Sequence, residues 1–164
     1  PKPQNPVAQY NKHQIMEKTD KDADKAAKQA AKQAEFDAKC ETDFAAKKGA
    51  SGSAFDKLNK WLDNPPFKSS NKAMKRETLM TVIAAVMEIK PADIDKIKDL
   101  NDKTLITLSK YLYAAFGLIA EKEDEDFIKM VNNGQHLLKL QLKIKEKMGN
   151  ACILKAQFEK NEIV

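Results

Sequence analysis

Arginine is almost absent from this 164-residue chain: Arg76 stands alone among 29 basic residues. The planar guanidinium fork is the preferred group for bidentate contact with phosphates and base edges. A nearly all-lysine complement therefore argues against dedicated phosphate or base readout. Histidine is as scarce, with His13 in a segment lacking helical periodicity and His136 beside a turn. No Gly-x-Ser-x-Gly, P-loop or Gly-x-Gly-x-x-Gly motif occurs. The nucleophile, base and orienting group that a hydrolase or transferase assembles in one pocket are not to be found as a set, so the chain reads as a non-enzyme. Cysteine is limited to Cys40 and Cys152, far apart and in no Cys-x-x-Cys pair. In a reducing compartment they read as free thiols, Cys152 within the core. Too few ligands stand at usable spacing for a zinc site, and neither metal nor cofactor is expected. No apolar run approaches the ~18 residues of a membrane span; Val82 to Met87 is six residues long. The first residues, from Pro1, lack the continuous apolar core of a signal peptide, which makes cytoplasmic residence the default.

What the chain has is charge and helix formers. Charged residues make up 32% and hydrophobic residues 42%, with a net charge of +5. The charge is spread out: residues 1–52 hold ten basic and eight acidic groups, and residues 53–164 hold nineteen and sixteen. Neither portion is a strong basic patch. The length suffices for one domain that buries a core without disulfides or metal.

Composition shifts at Gly49-Ala50-Ser51-Gly52, dividing residues 1–52 from a body at 53–164. Pro1, Pro3 and Pro6 mark residues 1–19 as an extended arm. Residues 20–48 are dominated by Ala, Lys, Gln and Glu, without Pro or Gly, and predict a long solvated helix. Thr19 or Asp20 can cap its start and Gly49 can end it. Phe36 and Phe44 are the large apolar groups near its end, so one end docks.

The body predicts six or seven helices in an irregular all-α bundle or short superhelix. Ser53 with Asp56 forms a capping-box pattern ahead of Phe55, Leu58, Trp61 and Leu62, and Pro65-Pro66 stops that helix. A second helix, capped near Ser70 or Asn71, carries a wide stripe from Met74 to Ile89 and is expected to be buried on more than one side. Pro91 fits the first turn of a short helix with Ile94, Ile97 and Leu100 spaced by three. Asp102 can cap the next helix, whose buried face includes Leu105, Leu108, Leu112 and Ile119. The acidic cluster Glu121 to Asp126 suits the start of a helix with Phe127, Ile128 and Val131, and Asn132-Asn133-Gly134 is a turn. Leu138 to Lys145 alternates with the period of a half-buried strand. No second strand exists to pair with it, and a lone strand would leave its backbone groups unpaired, so helix is the expectation. Gly149 breaks this helix, and Cys152, Ile153, Leu154 and Phe158 pack in a last short one.

Four motifs in this body resemble, in order and approximate spacing, those of one family: subunit five, the smallest, of the actin-related protein 2/3 complex. Leu62-Asp63-Asn64-Pro65-Pro66 resembles its Leu-Lys-Asn-Pro-Pro turn, and Asp93-Ile94-Asp95-Lys96 its Asp-Ile-Glu-Lys helix. Leu108-Ser109-Lys110-Tyr111-Leu112-Tyr113, running on to Phe116, is similar to its Leu-Met-Lys-Tyr-Ile-Tyr helix. Gly149-Asn150-Ala151-Cys152-Ile153-Leu154-Lys155 resembles its closing Gly-Val-Gly-Ser-Ile-Val-Arg. The likeness covers about residues 54–158. The family's arm is acidic, whereas this one is mixed in charge and runs into a lysine-alanine helix. The resemblance implies a non-catalytic structural subunit of a hetero-oligomer that nucleates branched actin filaments. Its body would dock on the β-propeller subunit and subunit four, and its arm would tether actin-related protein 2.

Candidate partner-binding residues follow. Tyr10 is the aromatic offered by the arm. Tyr111 and Tyr113 point about 200° apart on a helix, so both cannot face one core; with Phe116 they are candidates for docking. Lys139, Lys143 and Lys147 form a stripe at four-residue spacing that either meets an acidic partner surface or is simply solvated. Asp124, Glu125 and Asp126 read as a solvated helix start rather than a metal site. Lys21, Lys25, Lys28 and Lys32 form a similar stripe on the long helix. They support the alternative of a helical nucleic-acid-associated protein, although Asp20, Asp22, Asp24, Glu35 and Asp37 dilute that field.

Overall fold

The computed structural model describes residues 6–49, 51–122 and 124–158, with side chains described for 23–49, 51–122, 124–132 and 134–156. Every regular element among them is helical, as the all-α expectation required. The chain forms two compact units, residues 1–39 and 40–164. Helix α1, Pro6–Lys48, supplies its first part to one and its last turns to the other.

α1 starts earlier than the Thr19 or Asp20 cap suggests. Residues 7–19 contain neither Pro nor Gly, and Pro6 at a first helical position already has the right φ. Helical propensity over an unbroken run outweighs a local capping signal. Of the extended arm expected at 1–19, residues 1–5 lie outside the described residues, and the remainder is helix. Within the first unit every described side chain from Asp24 to Phe36 is exposed. The segment is held by its own backbone and by local pairs such as Gln33 Nε2 to Asp37 Oδ1, 3.1 Å.

The second unit is built around α3, Lys72–Met87, which Asn71 caps by accepting a hydrogen bond from the Met74 amide at 3.0 Å. Its wide buried stripe packs against α2 (Ala54–Leu62), α4 (Asp102–Glu121), α5 (Glu125–Val131) and α6 (Gln135–Met148). Leu79, Val82, Ile83 and Val86 are fully buried there. Both halves of the predicted capping box close α2: Asp56 N to Ser53 Oγ at 3.2 Å and Ser53 N to Asp56 Oδ2 at 3.1 Å. After α2, Asn64 adopts a left-handed φ of 46°, which asparagine tolerates better than most residues, and Pro65-Pro66 prevents continuation.

Pro91–Asp99 is a 3₁₀ helix of nine residues, although runs beyond 3–4 residues are uncommon. Ile94, Ile97 and Leu100 are all buried. Spacing by three places residues along one edge at three residues per turn, so the apolar pattern suits the 3₁₀ form. α4 is capped by Asn101, which accepts from Thr104 N at 2.9 Å, and not by Asp102, its first helical residue. Asp124 caps α5 and is joined by Arg76 from α3. The segment 138–145 is helical within α6, and Gly149 (φ 65°) ends that helix before α7, Ala151–Phe158. Cys152 is buried; the Phe158 side chain lies outside the described residues.

Candidate docking surfaces

The Asn-Pro-Pro corner receives the end of α1. Phe44 packs edge-on against Trp61, with ring centroids 5.5 Å apart at 70°. Lys47 donates to the carbonyls of Asp63 and Asn64, the latter at 3.3 Å, satisfying acceptors past the end of α2. Burial holds the Lys47 ammonium below the usual lysine range, an effect opposed by the nearby Asp43 and Asp63. Lys48 reaches Glu77 at 2.7 Å, and Asn71 Nδ2 donates to Glu41 at 3.1 Å. The last turns of α1 are therefore part of the second unit's packing.

The two tyrosines of α4 divide as their angular separation requires. Tyr111 is 1% exposed, with its ring 5.1 Å from Phe67. Its hydroxyl is buried without a hydrogen-bond partner among the described residues. Burial pushes that phenol far above the ordinary tyrosine range. Tyr113 is half-buried. Its hydroxyl accepts from Gln141 Nε2 at 3.4 Å, and its ring meets Phe116 edge-on at 6.3 Å. Tyr111 is thus a core residue, while Tyr113 and Phe116 lie at the margin between core and surface. The side chains of Tyr10 and His13 lie outside the described residues.

The lysine stripe on α6 is not uniform. Lys143 pairs with Asp95 at 3.1 Å and Glu146 at 3.3 Å, and these carboxylates raise its pKa. Lys147 donates to the carbonyls of Lys98 and Leu100, both at 2.6 Å. Lys98 in turn pairs with Glu146 at 2.7 Å. A cation placed on the last carbonyls of a helix satisfies acceptors that have no intrahelical donor. Lys143 and Lys147 thus clamp α6 to the 3₁₀ segment, and of the three predicted lysines Lys139 is exposed and has no ion pair or hydrogen bond among the described residues. The stripe pattern gave no sign of this, because Asp95, Lys98 and Leu100 lie about 50 residues away in sequence.

Leu138 and Leu142, which sequence reading did not single out as a surface, are 52% and 58% exposed. The signal was available: strict alternation over a helix must place apolar groups on two faces. Among the described residues, no group of three or more His, Cys, Asp or Glu side chains could hold a metal. Both cysteines are free. His136 Nε2 lies 3.1 Å from the Val86 carbonyl at the end of α3. No helix among the described residues is long and apolar enough to cross a membrane.

A family model described as the ARP2/3 complex 16 kDa subunit (p16-Arc) matches residues 5–163. The chain belongs to this family. The match extends beyond the 54–158 segment whose motifs carry the resemblance and includes all of α1. Comparison with curated proteins and with solved structures finds no match to either.

Proposed function

We propose that the chain is a non-catalytic structural subunit of the cytoplasmic assembly that nucleates branched actin filaments. Its body docks on the β-propeller subunit and on subunit four, and its amino-terminal segment tethers actin-related protein 2. The observation that carries this reading is the family match over residues 5–163. Exposure of every described side chain from Asp24 to Phe36 supports it, because these residues are open to a partner. A segment that tethers holds a mobile subunit at high effective concentration while permitting it to move.

Affinity purification of the full chain from its own cells at moderate salt tests the assignment. A β-propeller protein and actin-related proteins are expected in stoichiometric amounts; nucleic acid in their place, lost steeply as salt rises, overturns it. Deleting residues 1–19 should weaken retention of actin-related protein 2 while the body still enters the complex. Equal retention after that deletion removes the tether from the proposal.

A further inference from the structure

Among the described residues, the outer face of α6 is left exposed. Within the second unit, the large hydrophobic side chains left exposed among the described residues are Leu138 and Leu142 on α6 and Leu154 on α7. Leu138 and Leu142 are four residues apart, one turn above the other on the same face. Lys145 and Lys139 flank that pair on its two sides, both exposed. Neither has an ion pair or hydrogen bond among the described residues. Their neighbours Lys143 and Lys147 are committed to the 3₁₀ segment, and Leu137, Leu140 and Ile144 anchor the helix from beneath. The face is therefore rigid before any partner arrives, which lowers the ordering cost of binding.

Resting on the subunit reading above, we infer that this face is where the chain meets a neighbouring subunit of the complex, one that presents an apolar patch edged by carboxylates. An apolar centre with a charged rim is the ordinary anatomy of a protein interface. Two unpaired lysines on opposite sides of the leucines favour a partner with negative charge at its rim over one with positive charge. A second copy of this chain fits poorly. A two-fold contact would set the same lysine-edged patch against itself and bring like charges together.

The test uses the full chain reconstituted with the remaining subunits. Carbodiimide cross-linking, which joins an ammonium directly to a touching carboxylate, is expected to link Lys139 or Lys145 to an Asp or Glu of another subunit. Leu138→Asp with Leu142→Asp should lower incorporation by about tenfold or more, as for a central interface contact. Lys139→Glu with Lys145→Glu should lower it less and reverse its salt dependence, because salt then screens repulsion in place of attraction. Lys103→Glu with Lys122→Glu, both at exposed positions outside α6, should incorporate normally. If the native chain does not enter the complex, the subunit reading fails and this inference with it. If the native chain enters and the leucine variant enters equally well, this inference alone fails. Cross-links between copies of the chain overturn it as well. Should the leucine variant lose helical signal, the lysine variant and the cross-links decide.

Discussion

Residues 23–39 and residues 40–156 share a helical backbone and draw its stability from different sources. In the first stretch, Ala23, Ala26, Ala27, Ala30, Ala31 and Ala34 are all exposed. Helix there rests on intrinsic propensity and side-chain pairs three or four apart, each worth a few tenths of a kcal/mol. In the second, shorter helices such as α5, of seven residues, could not persist alone. They exist because Phe127 and Val131 are buried against neighbours. A segment can thus be rich in helix formers and contribute nothing to a cooperative core, while a poorer one is indispensable to it.

The sharpest way to separate the two regimes is to remove volume from the second. Ile83 is fully buried on α3, the helix that touches four others. Ile83→Ala should lower the unfolding free energy by about 2–5 kcal/mol, the lost transfer energy plus a cavity that close-packed neighbours cannot fill. Urea titration followed by Trp61 fluorescence reads this directly, since Trp61 is 4% exposed in the same core. A loss below 1 kcal/mol would mean that the second unit is not the close-packed body described.

Tyr111 tests the core from the opposite direction. Its hydroxyl is buried and unpartnered among the described residues, and an unmade buried hydrogen bond costs about 1–3 kcal/mol. Tyr111→Phe keeps the ring against Phe67 and removes that cost, so the variant should be more stable by about 1 kcal/mol at neutral pH. The pH dependence has a definite sign. The folded-state pKa is raised well above the ordinary value of 10.0, so above pH 10 the folded chain binds the proton more tightly than the unfolded chain. The group's contribution to stability is complete below pH 10 and is lost as pH rises beyond it. Alkaline unfolding should therefore be shallower in Tyr111→Phe than in the native chain. Parallel alkaline curves would show that the hydroxyl reaches water.

How much of this was readable in the sequence depended on the range of the interactions involved. The capping box at Ser53 and Asp56, the stop at Pro65-Pro66 and the break at Gly149 are local, and the residues alone specify them, while the cap was narrowed to Ser70 or Asn71 and falls on Asn71. The opposite fates of Tyr111 and Tyr113 followed from helix geometry. The 3₁₀ form of 91–99 was present in the spacing of Ile94, Ile97 and Leu100, a period that fits 3.0 better than 3.6 residues per turn. The clamp made by Lys143 and Lys147 was not readable, because which lysine finds a carboxylate or carbonyl is decided only once α6 lies beside the 3₁₀ segment. The start of α1 was misplaced because a capping residue marks where a helix can begin, and an unbroken run of helix formers need not use it.

The smallest expected effect belongs to the first region and would refine the contrast most. Ala30 is exposed on α1, and glycine costs about 1 kcal/mol relative to alanine at an interior helical position. In a stretch whose described side chains are exposed from 23 to 36, that cost is expected to act locally. Ala30→Gly should reduce helical circular dichroism and speed amide hydrogen exchange around residue 30, while the urea midpoint of the second unit stays within measurement error. Supplying partner subunits should then restore protection near residue 30 if this part of α1 is ordered by docking. If the midpoint instead falls together with the helical signal, residues 23–39 are coupled to the core, and the first unit owes its helix to packing after all.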